Sequence, residues 1–192
     1  MKKFLLILVL IFSFQSWTKA DDIRDFEIEG MSIGDSLLDH YEKSVIDAMR
    51  KTMYPKNNKF YQLETQRFES ANYDSFSFHL KNYDDKYIIY EVSGIKYFEN
   101  DIQGCNNYKE NIVQDLNSIF PNVEKNIYDY KYFAVDDGKS IAKITDFYLS
   151  DGSIRVYCVN WSEITEEKRN FADNVSVSIN TKKILEWIST GY

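Results

Sequence analysis

Residues 145–158 read Thr145-Asp146-Phe147-Tyr148-Leu149-Ser150-Asp151-Gly152-Ser153-Ile154-Arg155-Val156-Tyr157-Cys158. Asp-Gly between two alternating apolar runs is a strong hairpin signal, since it supplies the backbone conformations a two-residue turn needs. A turn at Asp151-Gly152 sets Leu149 opposite Ile154, Phe147 opposite Val156 and Thr145 opposite Cys158. One face is then apolar, and Asp146, Tyr148, Arg155 and Tyr157 lie on the other. An antiparallel sheet with one apolar face must be covered by a second layer, so the fold class depends on what the rest of the chain supplies.

Two stretches supply helices. Over 35–51, Leu37, Leu38, Tyr41, Val45 and Met49 recur at helical spacing. After Gly104 and Asn106, the residues Cys105, Tyr108, Ile112, Leu116 and Ile119 step by three or four, with Lys109, Glu110, Gln114 and Asp115 on the opposite side. Strands are predicted over 23–29, 60–68, 75–81, 87–97, 127–135 and 175–179. In one of them, Phe76, Phe78 and Leu80 alternate with Ser77, His79 and Lys81. A short closing helix carries Ile184, Leu185, Trp187 and Ile188. This order predicts an α+β fold, with antiparallel sheet and two main amphipathic helices on one face. A helix followed by three strands occurs twice, the pattern of a diverged repeat.

The chain's N-terminus reads as an export signal. Lys2 and Lys3 precede an apolar run from Phe4 to Phe14 and a polar tail ending at Ala20. That is a secretory signal peptide over 1–20, cleaved after Ala20 behind small residues at 18 and 20. The run is too short for a bilayer core that needs about 20 residues, so no stable membrane anchor is expected. Residues 21–192 are then expected to form a single exported domain in an oxidising compartment. In that oxidising compartment Cys105 and Cys158 are expected to pair, because both periodicities point them inward.

Loss of residues 1–20 leaves 20 basic and 30 acidic side chains, so the exported chain is acidic. Such a surface opposes nucleic acid and anionic membranes. With only 2 His, 2 Cys and 7 Gly, the sequence offers no zinc set and no glycine-rich nucleotide loop, and no cofactor or metal is expected. Glu99, Asp101, Gln103, Gly104 and Glu110 fall at calcium-loop spacing, but a helix start explains them better. Asp84-Asp85 and Asp136-Asp137 read as solvated turns.

Gly34-Asp35-Ser36-Leu37 resembles the motif of the GDSL esterases and lipases. That resemblance implies a Ser36 nucleophile, with His40 one helical step away as its base. The family's C-terminal Asp-x-x-His is absent, since no histidine follows His79. Ser32-Ile33-Gly34-Asp35 and Ser36-Leu37-Leu38-Asp39 equally fit helix capping. A serine hydrolase is therefore the alternative function.

Tyr128, Tyr130 and Tyr132 line one side of a predicted strand, and Tyr148, Arg155 and Tyr157 line one face of the hairpin. Together they form a candidate protein- or glycan-binding surface, because tyrosine offers rigid amphipathic contact area. They could instead lie over a second core layer.

The run Phe26-Glu27-Ile28-Glu29-Gly30-Met31-Ser32-Ile33-Gly34-Asp35-Ser36-Leu37-Leu38-Asp39, with Tyr87-Ile88-Ile89, Ser93-Gly94-Ile95 and Cys105, resembles small uncharacterised exported two-cysteine proteins of AT-rich bacteria. The Gly30-Met31-Ser32 turn is more distantly similar to outer-membrane assembly lipoproteins and β-lactamase-inhibitor-type folds. Those folds use sheets as protein-binding platforms. The resemblance implies export and a binding or interaction module whose partner is a periplasmic or envelope protein. A small-ligand module would differ by an enclosed pocket near the aromatic strands.

Overall fold

Alternation of apolar and polar residues builds eight segments of the chain into one antiparallel sheet. The computed structural model describes residues 22–54, 56–66, 72–136 and 138–190. The expected signal peptide and cleavage site lie outside the described residues. A small hairpin, β1 (Glu27–Ile28) and β2 (Met31–Ser32), precedes the main sheet. The eight strands of that sheet are β3 (Arg50–Met53), β4 (Phe60–Glu64), β5 (Ser75–Lys81), β6 (Ile89–Tyr97), β7 (Glu124–Lys131), β8 (Ile141–Leu149), β9 (Gly152–Asn160) and β10 (Asn174–Thr181). Their order is β3-β4-β5-β6-β10-β9-β8-β7, with every neighbour antiparallel. The helices are α1 (Lys43–Ala48), α2 (Ile102–Ile119), α3 (Phe133–Asp136), α4 (Glu163–Arg169) and α5 (Lys182–Ser189). The class is α+β.

The sheet is two four-stranded meanders, each preceded by a helix and joined through their last strands, β6 and β10. A two-fold axis normal to the sheet between β6 and β10 generates this order and keeps α1 and α2 on the same side. The repeat unit is thus a helix with four strands, not three. Arg50 and Lys51, read from sequence as the end of a helix, open strand β3, and β10 completes the second meander.

Between the helices and the sheet lies the main core. Phe78, Val92, Val156, Val175 and Ile179 pack there with Ile46 of α1 and with Cys105, Val113 and Leu116 of α2. Cys105 and Cys158 form a disulfide across this layer, with Cα atoms 6.0 Å apart and a sequence separation of 53. Asp101 caps α2, its carboxylate accepting from Gly104 N at 2.8 Å. A Cβ at Gly104 would sit 2.1 Å from that carboxylate, so the calcium-like spacing is a helix cap and its close fit.

Several expectations are corrected. The hairpin turn is Ser150-Asp151, so Leu149 pairs with Gly152, Phe147 with Ile154, Thr145 with Val156 and Lys143 with Cys158. A slip of two residues preserves the facing of every side chain, which is why the apolar face survives. Gly152 serves the strand instead of the turn: a Cβ there would lie 1.9 Å from the Asn180 carbonyl oxygen. The helix read over 35–51 is a 3-10 turn at Leu37–Asp39 and the short α1, leaving Leu38 and Val45 exposed. Ser36 is held in a bridge to Ile88, and that pairing breaks the helix before it can start.

Residues 23–25 are a 3-10 turn and only Glu27–Ile28 is strand. Helix α4 and the turn α3 were not read from sequence. Lys109, placed outside by its charge, is buried, with Nζ donating to Thr145 Oγ1 at 3.0 Å and to Glu110 Oε1 at 3.1 Å. Asp136 is no solvated turn residue. Its carboxylate accepts from Ser140 N, Ser140 Oγ, Ser162 Oγ (2.6 Å) and Thr165 Oγ1 (2.9 Å), tying α3 and α4 to the start of β8. Desolvation opposes ionisation, but these donors outweigh it and hold the group well below the ordinary carboxylate range.

Two stability predictions follow from these ties. Reduction of the Cys105–Cys158 bond, or the double variant Cys105→Ala/Cys158→Ala, is expected to cost about 4 kcal/mol by loop-closure entropy, measured by urea unfolding. A folded-state pKa below the unfolded value means that Asp136 stabilises at neutral pH, and that this contribution is lost as pH falls through the folded pKa. Asp136→Asn should therefore melt lower than wild type at pH 6, with the gap in Tm closing as pH falls below about 4.

Candidate functional site

The alternation that sends Phe78, Val92, Val177 and Val156 to the core sends their neighbours to the opposite face. Register makes those neighbours continuous across all eight strands: Arg50, Glu64, Ser77, Ser93, Ser178, Arg155, Asp146 and Asn126 stand side by side in one row. A parallel row runs Thr52, Gln62, His79, Glu91, Asn180, Ser153, Tyr148 and Glu124. In β6 the register shifts by one: Leu80 pairs with Ile89 and His79 with Glu91, so Tyr90 is an extra residue. This bulge swings Glu91 onto the polar face beside His79.

Helix α5 covers one end of this face. Ile184 and Trp187 pack on Phe60, Tyr54 and Tyr90. Beside that cap, His79 Nδ1 lies 2.6 Å from Glu91 Oε2, and Glu91 Oε1 accepts from Ser93 Oγ in a short contact. Ser93 Oγ meets Ser178 Oγ at 2.7 Å, and Tyr54 OH lies 3.3 Å from His79 Nε2. Glu91 is buried, and these partners make its burial tolerable. An acid orienting a histidine is half of a hydrolytic triad, but the other half is missing: Ser93 bonds the carboxylate and Nε2 faces a tyrosine.

In the other meander Asp146 is 2% exposed and is gripped by Arg155, with Nε to Oδ1 at 2.7 Å and Nη2 to Oδ2 at 3.0 Å. Tyr128 OH completes the cluster, 3.3 Å from Asp146 and 3.2 Å from Arg155. Burial pushes the Tyr128 phenol up, against the pull of Arg155. Tyr157 is pushed up in the same way, chiefly by desolvation, with Glu91 adding to it.

Between the two meanders lies a hollow of about 330 Å³. Arg50 and Glu64 of the first meander line it together with Tyr157, Val159, Trp161 and Asn174 of the second. Strands β3 and β9 are five places apart, about 24 Å in a flat sheet, so the sheet must curl to bring them to one hollow. Three rings line its wall: Tyr132 and Trp161 meet at 4.8 Å, and Trp161 and Phe171 at 4.8 Å; outside the hollow Tyr130 extends the chain, 5.0 Å from Tyr132. Arg169 stands on the rim, exposed, while Arg50 is ion-paired to Glu64.

The structure thus brings Tyr128, Tyr130, Tyr132, Tyr148, Arg155 and Tyr157 onto the side opposite α1 and α2, in three settings. Tyr128 and Arg155 are built into the polar cluster, Tyr132 and Tyr157 line the hollow, and Tyr130 and Tyr148 are 50% and 40% exposed. Sequence reasoning missed His79, Glu91, Ser93 and Ser178, as well as Trp161, Phe171 and Arg169. Their signal was present as polar residues at every second place in otherwise apolar strands, such as Ser176, Ser178 and Asn180 of β10.

Ser36 and His40 are close in sequence but hold different partners. Ser36 Oγ donates to the Lys86 carbonyl at 2.7 Å and accepts from Leu38 N at 3.2 Å, which is a cap. The His40 ring lies 3.4 Å from Asp35. Among the described residues no cluster of His, Cys, Asp and Glu could hold a metal ion, and no helix is long and apolar enough to cross a membrane. Comparison with protein-family models, curated proteins and solved structures gives no match, so the reading of this face rests on its own chemistry.

Removing one partner of a buried ion pair leaves an uncompensated charge. Asp146→Ala is expected to cost about 3 kcal/mol in urea unfolding. The double variant Asp146→Ala/Arg155→Ala should cost less than Asp146→Ala alone.

Proposed function

We propose that this chain is an exported, periplasmic, non-catalytic binding module that docks a protein or envelope component on the face of its sheet opposite α1 and α2. The observation that carries this reading is the hollow between the meanders, where aromatic rings and a rim arginine meet on an otherwise polar face. Buried ionic groups on that face are paired with one another, so they hold its shape and leave recognition to Tyr130, Tyr148, Trp161, Phe171 and Arg169. Rings beside an arginine are the composition of interface centres. The distant likeness of the Gly30-Met31-Ser32 turn to folds with sheet platforms favours the same face. The paired cysteines and the signal-like N-terminus support export.

The hollow also favours a second reading, a small-ligand module. Its volume of about 330 Å³ is at the lower end of ligand pockets. A hydrolase centred on Ser36 has less support, since the hydroxyl is used as a cap and His40 is turned to Asp35.

The test uses the chain exported from its own host and captured with its bound material. Tyr130→Ala/Tyr148→Ala and Arg169→Glu are expected to weaken capture at least about tenfold, with unchanged melting, because all three side chains are exposed. Val45→Ser, on the far side of the molecule, should have no effect. Native mass spectrometry then separates the readings: a bound protein supports docking, and a bound mass of a few hundred daltons supports the small-ligand module. Equal capture by all variants overturns both.

A further inference from the structure

The sheet ends on β7, and its outer edge has the chemistry of a self-pairing strand. Every residue from Glu124 to Lys131 is paired in unbroken register to β8 on one side. All eight are exposed except the half-buried Tyr128. Among the described residues no strand pairs with the other side, since β7 is last in the sheet order.

Backbone hydrogen bonds fix which groups point outward. Continuing the β7–β8 ladder by one step, Tyr132 N donates to Ser140 O at 3.1 Å. In an antiparallel ladder bonded and non-bonded pairs alternate, so the even-numbered residues of β7 bond to β8. The N–H and C=O groups of Lys125, Ile127, Asp129 and Lys131 therefore face the open edge. The bond from Phe98 N to Asp173 O, 2.8 Å long at the β6–β10 junction, obeys the same alternation carried across the sheet.

Side chains select the partner. Ile127 is 73% exposed, more than Leu38, Val45, Met53, Ile119 or Ile164. Consider a second β7 laid antiparallel on this edge, with Ile127 opposite its own copy. Lys125 then stands opposite Asp129 of the copy, and the arrangement recurs on the other side of the dyad. On the other face Glu124 meets Tyr130 and Asn126 meets Tyr128. No like charges meet. Sliding the copy by two residues one way places Lys125 opposite Lys131, and sliding it the other way sets Lys125 against Ile127. Sliding by four sets Asp129 on Asp129. Among registers that use the outward groups, the one centred on Ile127 alone combines apolar contact at the dyad with opposite charges on both flanks. Lys125 also bonds Asn117 Oδ1 at 2.7 Å, and its ammonium has further donors free for a carboxylate.

We infer that β7 is a homodimerisation edge, on which a second copy of this chain pairs antiparallel about Ile127 and extends the sheet from eight strands to sixteen. The exposed edge of a regular strand is a template for such pairing. Charges on this edge select its own copy over an unrelated strand. The faces opposite α1 and α2 of both copies lie on the same side of the extended sheet, so the pairing leaves both hollows open and does not depend on what they bind.

Sedimentation of the full exported chain across a concentration series tests this. Wild type is expected to shift from monomer to dimer as concentration rises. Ile127→Pro should be monomeric with an unchanged melting temperature, because the N–H it removes points away from β8. Lys125→Glu should weaken the dimer about tenfold, and Lys125→Glu/Asp129→Lys should restore it. A wild type that stays monomeric overturns the proposal, and so does a dimer that survives both Ile127→Pro and Lys125→Glu. Should Ile127→Pro melt early, the charge-reversed pair decides alone, because restoration requires the two side chains to meet across the dyad.

Discussion

The pairing of β6 with β10 is the constraint on which the rest of the structure depends. It joins two meanders that would each expose a long, apolar-faced edge, and it does so in full register from Asn174 opposite Tyr97 to Asn180 opposite Glu91. Once those strands are locked, Val92, Gly94 and Lys96 share a face with Val175, Val177 and Ile179, and Glu91, Ser93 and Ile95 share the other with Ser176, Ser178 and Asn180. The core under α1 and α2 and the polar rows of the opposite face are therefore two consequences of one register. The hydrogen bond between Ser93 and Ser178, 2.7 Å long, lies on that seam.

The disulfide reinforces the same seam from the helix side. Cys105 lies in the first turns of α2, the connection between the meanders, and Cys158 lies in β9, one strand beyond β10. The bond fastens the crossover helix to the second meander, which the chain must build by returning β10 to the centre of the sheet. A connection of this kind is entropically costly to close, because its strands are distant in sequence. A covalent tie placed there acts on the slowest-formed part of the topology. Asp136 plays a comparable part at the far edge, gathering the hydroxyls of Ser140, Ser162 and Thr165 around one carboxylate.

Ionic groups on the face opposite α1 and α2 are arranged in pairs. His79 with Glu91, Arg155 with Asp146 and Arg50 with Glu64 each satisfy one another, and the first two pairs lie largely out of solvent. What such a face leaves at its surface is then its shape and its aromatic wall. This separates residues that build the surface from residues that present it, a distinction that the six tyrosine and arginine positions read from sequence did not contain.

Much of the architecture was legible in the sequence. The two-residue period of Phe76, Phe78 and Leu80 fixed the bounds of β5, because it depends only on neighbours along the chain, and the three-four spacing through Cys105, Tyr108, Ile112, Leu116 and Ile119 located α2 and the burial of Cys105 and Leu116, although Lys109 and Val113 are buried there and Ile119 is exposed. The inward direction of both cysteines followed from the same periodicities. Tertiary structure decided what depends on partners far away in sequence. Ser36 pairs with Ile88 and so halts a helix that local spacing favoured. Gly152 yields its place in the turn to approach Asn180, and Lys109 finds Thr145 and is buried despite its charge. The polar rows, the hollow and the open edge of β7 are likewise products of register between strands up to about a hundred residues apart, and register is set by the whole sheet closing at once.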